Sequence, residues 1–107
     1  MKIYLNEKLL TDKCRAANSF FEKLFGRIFI RAPLVINNCN SVHTFFMKEK
    51  IDVIFLDKDY TIIKLCHSVK PYHIIFPVKN SKYVLESDAS FIKNAKINLR
   101  DKLVFAE

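Results

Sequence analysis

Six consecutive residues, Ile51-Asp52-Val53-Ile54-Phe55-Leu56, constrain the fold of this chain more than any other feature. Successive side chains of a strand point to opposite faces. Here both faces are apolar, with Asp52 as the exception. A strand of this kind must be covered on both sides, so it belongs in the middle of a sheet and not at its edge. Asp57-Lys58-Asp59-Tyr60 follows as a turn, and Thr61 to Cys66 as a return strand. Together they predict a hairpin around which the remaining chain is arranged.

The flanking segments are short and mostly β-compatible. Lys2–Leu5 and Leu9–Ala17 are expected strands joined at Asn6-Glu7. Further strands are expected at Arg27–Ile30, Leu34–Ile36, Tyr72–Val78, Lys82–Leu85 and Leu103–Phe105. Ser19-Phe20-Phe21-Glu22 fits a capping box, with Phe20, Phe21, Leu24 and Phe25 on one face of a short helix that stops at Gly26. Asp88 is placed to cap a second helix, Ala89–Ala95. Gly26 is the one glycine. Left-handed turn positions are therefore expected at Asn or Asp, the other residues that tolerate them: Asn6, Asn37, Asn38, Asp59, Asn80 and Asn94. The pattern predicts a mainly β protein, a compact barrel or sandwich with one or two short helices, and a single domain over residues 1–107.

The chain has 107 residues, enough to bury about two-thirds of the surface it exposes when unfolded. Half of its residues are apolar, which excludes a disordered class. No apolar run approaches the roughly 20 residues of a membrane-spanning helix. MKIYLNEKLL does not read as a signal peptide. Cys14, Cys39 and Cys66 form an odd set without Cys-x-x-Cys spacing, so free thiols and a cytoplasmic location are expected. The net charge of +7 comes from lysines spread along the chain, which reads as a solvated surface.

Four constellations bear on chemistry. His43, Met47 and Asp52 lie inside the apolar stretch HTFFMKEKIDVIFLD. A His43–Asp52 pair would orient a general base, whereas a structural Asp52 would tie down the Thr44–Lys50 loop through backbone amides. Cys39, His43, Cys66, His67 and His73 supply soft and imidazole donors, but no second pair has chelating spacing, so no metal is expected. Cys39 or Cys66 beside a histidine would make a nucleophilic dyad only if the thiol is activated; buried, inert thiols are the simpler reading. Lys70, Tyr72, His73, Lys79 and Lys82 resemble a basic face with an aromatic, without the aromatic pattern or Gly-rich loop of a nucleic-acid module, so nucleic acid is not the expected partner.

Several segments taken in order are similar to those of an uncharacterised family, domain of unknown function 192. They are Cys14-Arg15-Ala16 with FFEKLFGR, CNSVHTFFM (Cys39–Met47) with IDVIFLD (Ile51–Asp57), VKPY (Val69–Tyr72), YVLE (Tyr83–Glu86) and LRDKL (Leu99–Leu103). The resemblance runs from Cys14 to Val104 and implies a β barrel or sandwich of this size with no established activity. The chain departs from the family where glycine is usual. Tyr60 follows the hairpin aspartate, Ser90 precedes the late helix and Arg100 precedes Asp101. Glu49-Lys50 also stands where an aromatic-Pro pair is usual.

The resulting expectation is a non-enzymatic binding or accessory module, without a cofactor, for a protein or small-molecule partner. Its cleft would lie near His43, Phe46, Met47, Asp52, Lys70 and Tyr72. The alternative is an enzyme or small-ligand-binding protein using His43 with Asp52, and a weaker alternative is nucleic-acid binding through the basic face.

Overall fold

The computed structural model describes residues 1–17, 32–45 and 47–107. The capping box at Ser19–Glu22 with its helix, Gly26, the Arg27–Ile30 strand and Phe46 lie outside the described residues. The elements are β1 (Lys2–Leu5), β2 (Lys8–Thr11), β3 (Arg15–Ala16), β4 (Leu34–Asn37), β5 (Val42–His43), β6 (Ile51–Leu56), β7 (Ile62–Val69), β8 (Ile74–Ile75), β9 (Tyr83–Asp88), α1 (Phe91–Asn94) and β10 (Val104–Ala106). Among the described residues they form a five-stranded sheet ordered β3-β4-β9-β6-β7, a three-stranded sheet β10-β1-β2 and a two-stranded ribbon β5-β8. The protein is mainly β, as its pattern requires, and among the described residues the sheets remain open.

The doubly apolar segment takes the interior position expected of it. β6 pairs antiparallel with β9 on one side and β7 on the other, and all six of its residues are buried. Its alternation divides the core in two. Ile54 and Leu56 join Ile3, Leu5, Val35, Leu85, Ile92 and Leu103 between the five-stranded and three-stranded sheets. Val53 and Phe55 join Leu34, Ile36, Val42 and Val84 on the opposite face, with Ile75 and Val78 packed against them.

Asp52 is fully buried, and its carboxylate stays inside this scaffold. One oxygen accepts from Ser68 N at 2.9 Å and the other from Ile92 N at 2.9 Å. The first bond holds a bulge. Between Ile51↔Val69 and Val53↔Cys66, β6 advances two residues while β7 advances three, and Ser68 adopts φ 48°. The second bond holds α1. Ser90, the residue before this helix, makes no side-chain capping bond, so the acceptor comes from β6 in place of the Asp88 cap expected from sequence.

Two other expected elements are shorter than their patterns suggest. Leu9–Ala17 divides because Thr11 Oγ1 accepts from Lys13 N at 3.1 Å, a local turn that competes with strand pairing. Arg15–Ala16 then pairs parallel to β4 in the other sheet. Tyr72–Val78 contracts to Ile74–Ile75 because Tyr72 has φ 63° and Pro77 has no N–H to donate.

With so little glycine, left-handed positions fall on other residues: Asn6, Glu7, Asn38, Tyr60, Ser68, Tyr72, Asn80, Ser90, Lys96 and Arg100. Asn6, Asn38 and Asn80 are among the expected sites; Asn37, Asp59 and Asn94 are not used in this way. Tyr60, Ser90 and Arg100 are the three departures from glycine noted above, so the left-handed backbone is kept without the residue that adopts it freely.

Two predictions follow from this backbone. Asp52→Ala leaves two amides without an acceptor and should cost about 3 kcal/mol, lowering Tm by more than about 10 °C, whereas Asp52→Asn keeps one acceptor and should lose less. Thermal unfolding checks both, and equal Tm values for wild type and Asp52→Ala would contradict the assignment. Ser90→Gly and Arg100→Gly, both at exposed positions, should each stabilise by about 0.5–1 kcal/mol by relieving left-handed strain, offset by the greater freedom of the unfolded chain. The same melts should show Tm gains of about 2–8 °C.

Candidate functional site

The central signature block is fastened by Thr44, a fully buried polar residue. Thr44 Oγ1 donates to the Lys70 carbonyl at 2.7 Å and accepts from His73 N at 2.8 Å. Its own N–H donates to the His73 carbonyl at 2.8 Å, and its carbonyl accepts from Tyr72 N at 2.9 Å. This one residue sews the Lys70–His73 turn onto the end of β5. A hydroxyl can donate and accept at once, which the aromatic residues beside it cannot do. Thr44 was passed over in the sequence because threonine is common and carries no charge. The available signal was a lone polar side chain between His43 and Phe45-Phe46, directly before an apolar strand.

β5 and β8 pair Val42 with Ile75 and His43 with Ile74. Val42 and Ile75 turn to the core, so His43 and Ile74 occupy the outer face. The Phe45 ring stacks on the imidazole, with centroids 5.4 Å apart, and tilts toward Tyr72 at 6.5 Å. His43 Nδ1 accepts from Phe45 N at 3.3 Å, which fixes the ring and leaves Nε2 as the other imidazole nitrogen. Tyr72, Ile74 and Phe76 are 66%, 51% and 74% exposed. From Tyr60 to Leu85 the chain has no acidic residue, while Lys64, His67, Lys70, His73, Lys79 and Lys82 fall in that span. The result is an exposed aromatic and aliphatic ledge within a stretch of chain that carries bases and no acid.

The expected cleft residues therefore separate. His43, Tyr72 and the Lys70 backbone meet through Thr44 and Phe45. Met47 packs half-buried against the Val53–Phe55 side of the core. Asp52 points to the other side, where its partners are Ser68 and Ile92. A His43–Asp52 hydrogen bond is not formed, and Thr44, not Asp52, restrains the loop. The physical reason is strand alternation: Asp52 shares the face of Ile54 and Leu56, opposite the ribbon. Phe46 lies outside the described residues.

No disulfide joins the cysteines among the described residues, and the thiols are poorly suited to nucleophilic chemistry. Burial pushes the Cys14 thiol from 9.0 up to about 11, only partly countered by the N-terminal ammonium and a backbone hydrogen bond. Burial also raises Cys66, with Lys64 pulling weakly the other way. Cys39 Sγ sits 3.1 Å from the Ser41 carbonyl, as an S–H donor would. Activation requires the opposite shift. Among the described residues, no three His, Cys, Asp or Glu side chains converge as metal ligands would.

Cys14 generates a prediction with a defined sign. Its folded pKa is raised, so the folded state holds the proton more firmly than the unfolded state. The associated stability is complete below pH 9 and disappears as pH climbs toward 11. Chemical denaturation across this range should show an alkaline loss that Cys14→Ala reduces. Native Cys14 should also resist iodoacetamide at pH 8 until the protein is unfolded.

The chain is similar to several known proteins in sequence and in fold. The UPF0127 protein of Pyrococcus horikoshii is 31% identical over 97 residues, 83% of this chain and 84% of that protein. The UPF0127 protein of Pyrococcus abyssi is 33% identical over 100 residues, 85% of this chain and 84% of that protein. The fold is shared with a protein of unknown function from Novosphingobium aromaticivorans, at TM-score 0.81 and 14% identity, covering 97% of this chain and 82% of that one. It is also shared with a candidate transcription regulator of Sinorhizobium meliloti, at TM-score 0.78 and 18% identity, covering 96% and 89% respectively. None of the described helices is long and apolar enough to cross a membrane. The sequence profile of domain of unknown function 192, described as an uncharacterised conserved family, matches residues 29–105, and the chain belongs to that family.

Proposed function

We propose that this protein is a non-enzymatic, single-domain binding module that docks an acidic segment of a partner protein on the outer face of the β5–β8 ribbon. The observation that carries the reading is the clustering of apolar exposure. Of the six exposed large apolar side chains among the described residues, Tyr72, Ile74 and Phe76 fall within one short segment. An exposed patch of that kind, stiffened from beneath, is the mark of a docking surface. Thr44 supplies the stiffness, so little ordering entropy remains to be lost on binding. His43, Phe45 and Tyr72 provide amphipathic rings, the residue type that anchors protein interfaces. The acid-free stretch around the ledge selects against basic partners and steers acidic ones toward it. The lack of a disulfide among the described residues supports a reducing, cytoplasmic setting.

The test is quantitative affinity capture with wild type and an Ile74→Ser, Phe76→Ser double variant. Both side chains are exposed, so the variant should keep its Tm within a few degrees. A partner bearing an acidic segment should be recovered with wild type and fall about tenfold or more with the variant. Its binding should also weaken as salt rises. Equal recovery of the same partners by both proteins would overturn this surface, and recovery dominated by nucleic acid would replace the reading with a polyanion site.

A further inference from the structure

A second feature lies on the other side of the five-stranded sheet, where it meets the three-stranded sheet. A cleft of about 440 Å³ opens there. Among the described residues it is lined by Met1 and Phe105 from one sheet, by Ala16, Ala17, Val35, Asn37 and Tyr83 on the other, and by Tyr60 from the β6–β7 turn. This volume lies within the range of small-molecule sites.

Tyr60 is held there against its backbone preference. Its φ is 63°, an outlier for a bulky residue. The surrounding bonds over-determine it. Tyr60 N donates to the Asp57 carbonyl at 3.0 Å, and the Tyr60 carbonyl accepts from Leu103 N at 3.1 Å. Asp57 Oδ1 accepts from Asp59 N at 2.8 Å and Thr61 N at 3.0 Å. The ring is fixed as well: it stacks on Tyr83 at 4.5 Å and 15°, and tilts against Phe105 at 5.3 Å and 43°. Strain kept in this way is characteristic of a functional position.

The polar groups define what would fit. Among the described lining residues the polar side-chain groups are the Asn37 amide and the Tyr60 and Tyr83 hydroxyls, and the Met1 ammonium is engaged by the Cys14 carbonyl at 2.7 Å. Asn37 stands directly across from Tyr83 in the β4–β9 register. Its amide offers a donor and an acceptor in one plane, the complement of a base edge. A side-chain hydrogen bond with Tyr83, and then burial, raise the Tyr60 phenol, so the two hydroxyls are tied to each other at the rim of the platform. Three aromatic rings with one planar amide suit a flat heteroaromatic ring better than a flexible chain.

We infer that this cleft binds a nucleobase-type ring, as carried by a nucleoside, stacked against the Tyr60–Tyr83 platform and read at its edge by Asn37. The site is separate from the ribbon, so either can fail without the other.

Titration of the ¹⁵N-labelled protein with adenosine and uridine, followed by NMR, tests this directly. Saturable shifts are expected at Asn37, Tyr60, Tyr83 and Phe105. Tyr60→Phe should bind within about threefold of wild type, because stacking remains. Tyr60→Gly removes the ring while accommodating the turn and should bind roughly 5- to 100-fold more weakly, the range for loss of one stacking partner. Asn37→Ala keeps the platform intact and should lose about tenfold, an independent check if Tyr60→Gly folds poorly. Absence of saturable shifts with either nucleoside would overturn the assignment. So would undiminished affinity in Asn37→Ala, or saturable binding of a disaccharide probe alone.

Discussion

A single buried carboxylate joins three parts of this fold. Asp52 sits on the most enclosed strand and spends both oxygens on backbone amides, one in the β7 bulge and one in the first turn of α1. The Ser68 amide falls at the shift in the β6–β7 register, and Ser90 offers the helix no capping side chain. A charge placed so deep is tolerated only when its hydrogen-bonding capacity is met locally. The bond to Ser68 N also sets where β7 gains its extra residue, and this determines which side chains of the Val69–His73 segment reach the ribbon. The bond to Ile92 N seats α1 so that Ile92 closes the core between the two larger sheets.

This use of Asp52 has a consequence for function. An acid committed to two amides is not available as a general base, and the central strand becomes scaffold. Chemistry and recognition are displaced to the periphery, where the two ends of the scaffold present different surfaces. On one side Thr44 locks the Lys70–His73 turn and leaves an apolar ledge in solvent. On the other, the two sheets part around Tyr60 and Tyr83. A buried hydroxyl and a buried carboxylate thus perform the same task at two sites, satisfying backbone groups that no strand neighbour reaches.

The β6–β7 hairpin was legible because its signals are local: a doubly apolar run, a turn and a return strand. Hydrophobic period alone placed β6 inside the sheet. The division of Leu9–Ala17 was not legible, because a continuous β-compatible string does not reveal that Thr11 will bond to Lys13 N and release the chain to another sheet. The site was half legible. His43 and Tyr72, both expected at the cleft from their place in the signature segments, lie in one region around Phe45. Asp52 was drawn to the same region by closeness in sequence, although strand alternation sends it to the opposite face. Thr44 shows the complementary failure: it is a buried polar group whose partners, Lys70 and His73, are distant in sequence, and no local pattern marks it. The resemblance to family 192 supplied the order of the segments, whereas the positions of the side chains had to come from packing.

The glycine shortage connects these observations. Most left-handed positions here carry Asn, Ser or a long charged residue, for which the cost is modest and the side chain simply points to solvent. Two carry tyrosine, Tyr60 and Tyr72, which is half of the tyrosines in the chain. A bulky ring gains nothing from the left-handed region, and a turn alone would be better served by Asn or Gly. Each ring stands at one of the two candidate surfaces, Tyr72 beside Phe45 on the ledge and Tyr60 beside Tyr83 in the cleft. Strain of this kind persists when the position of the ring matters more than the comfort of the backbone beneath it. The two outliers therefore single out the same two places that exposure and cavity shape identify independently.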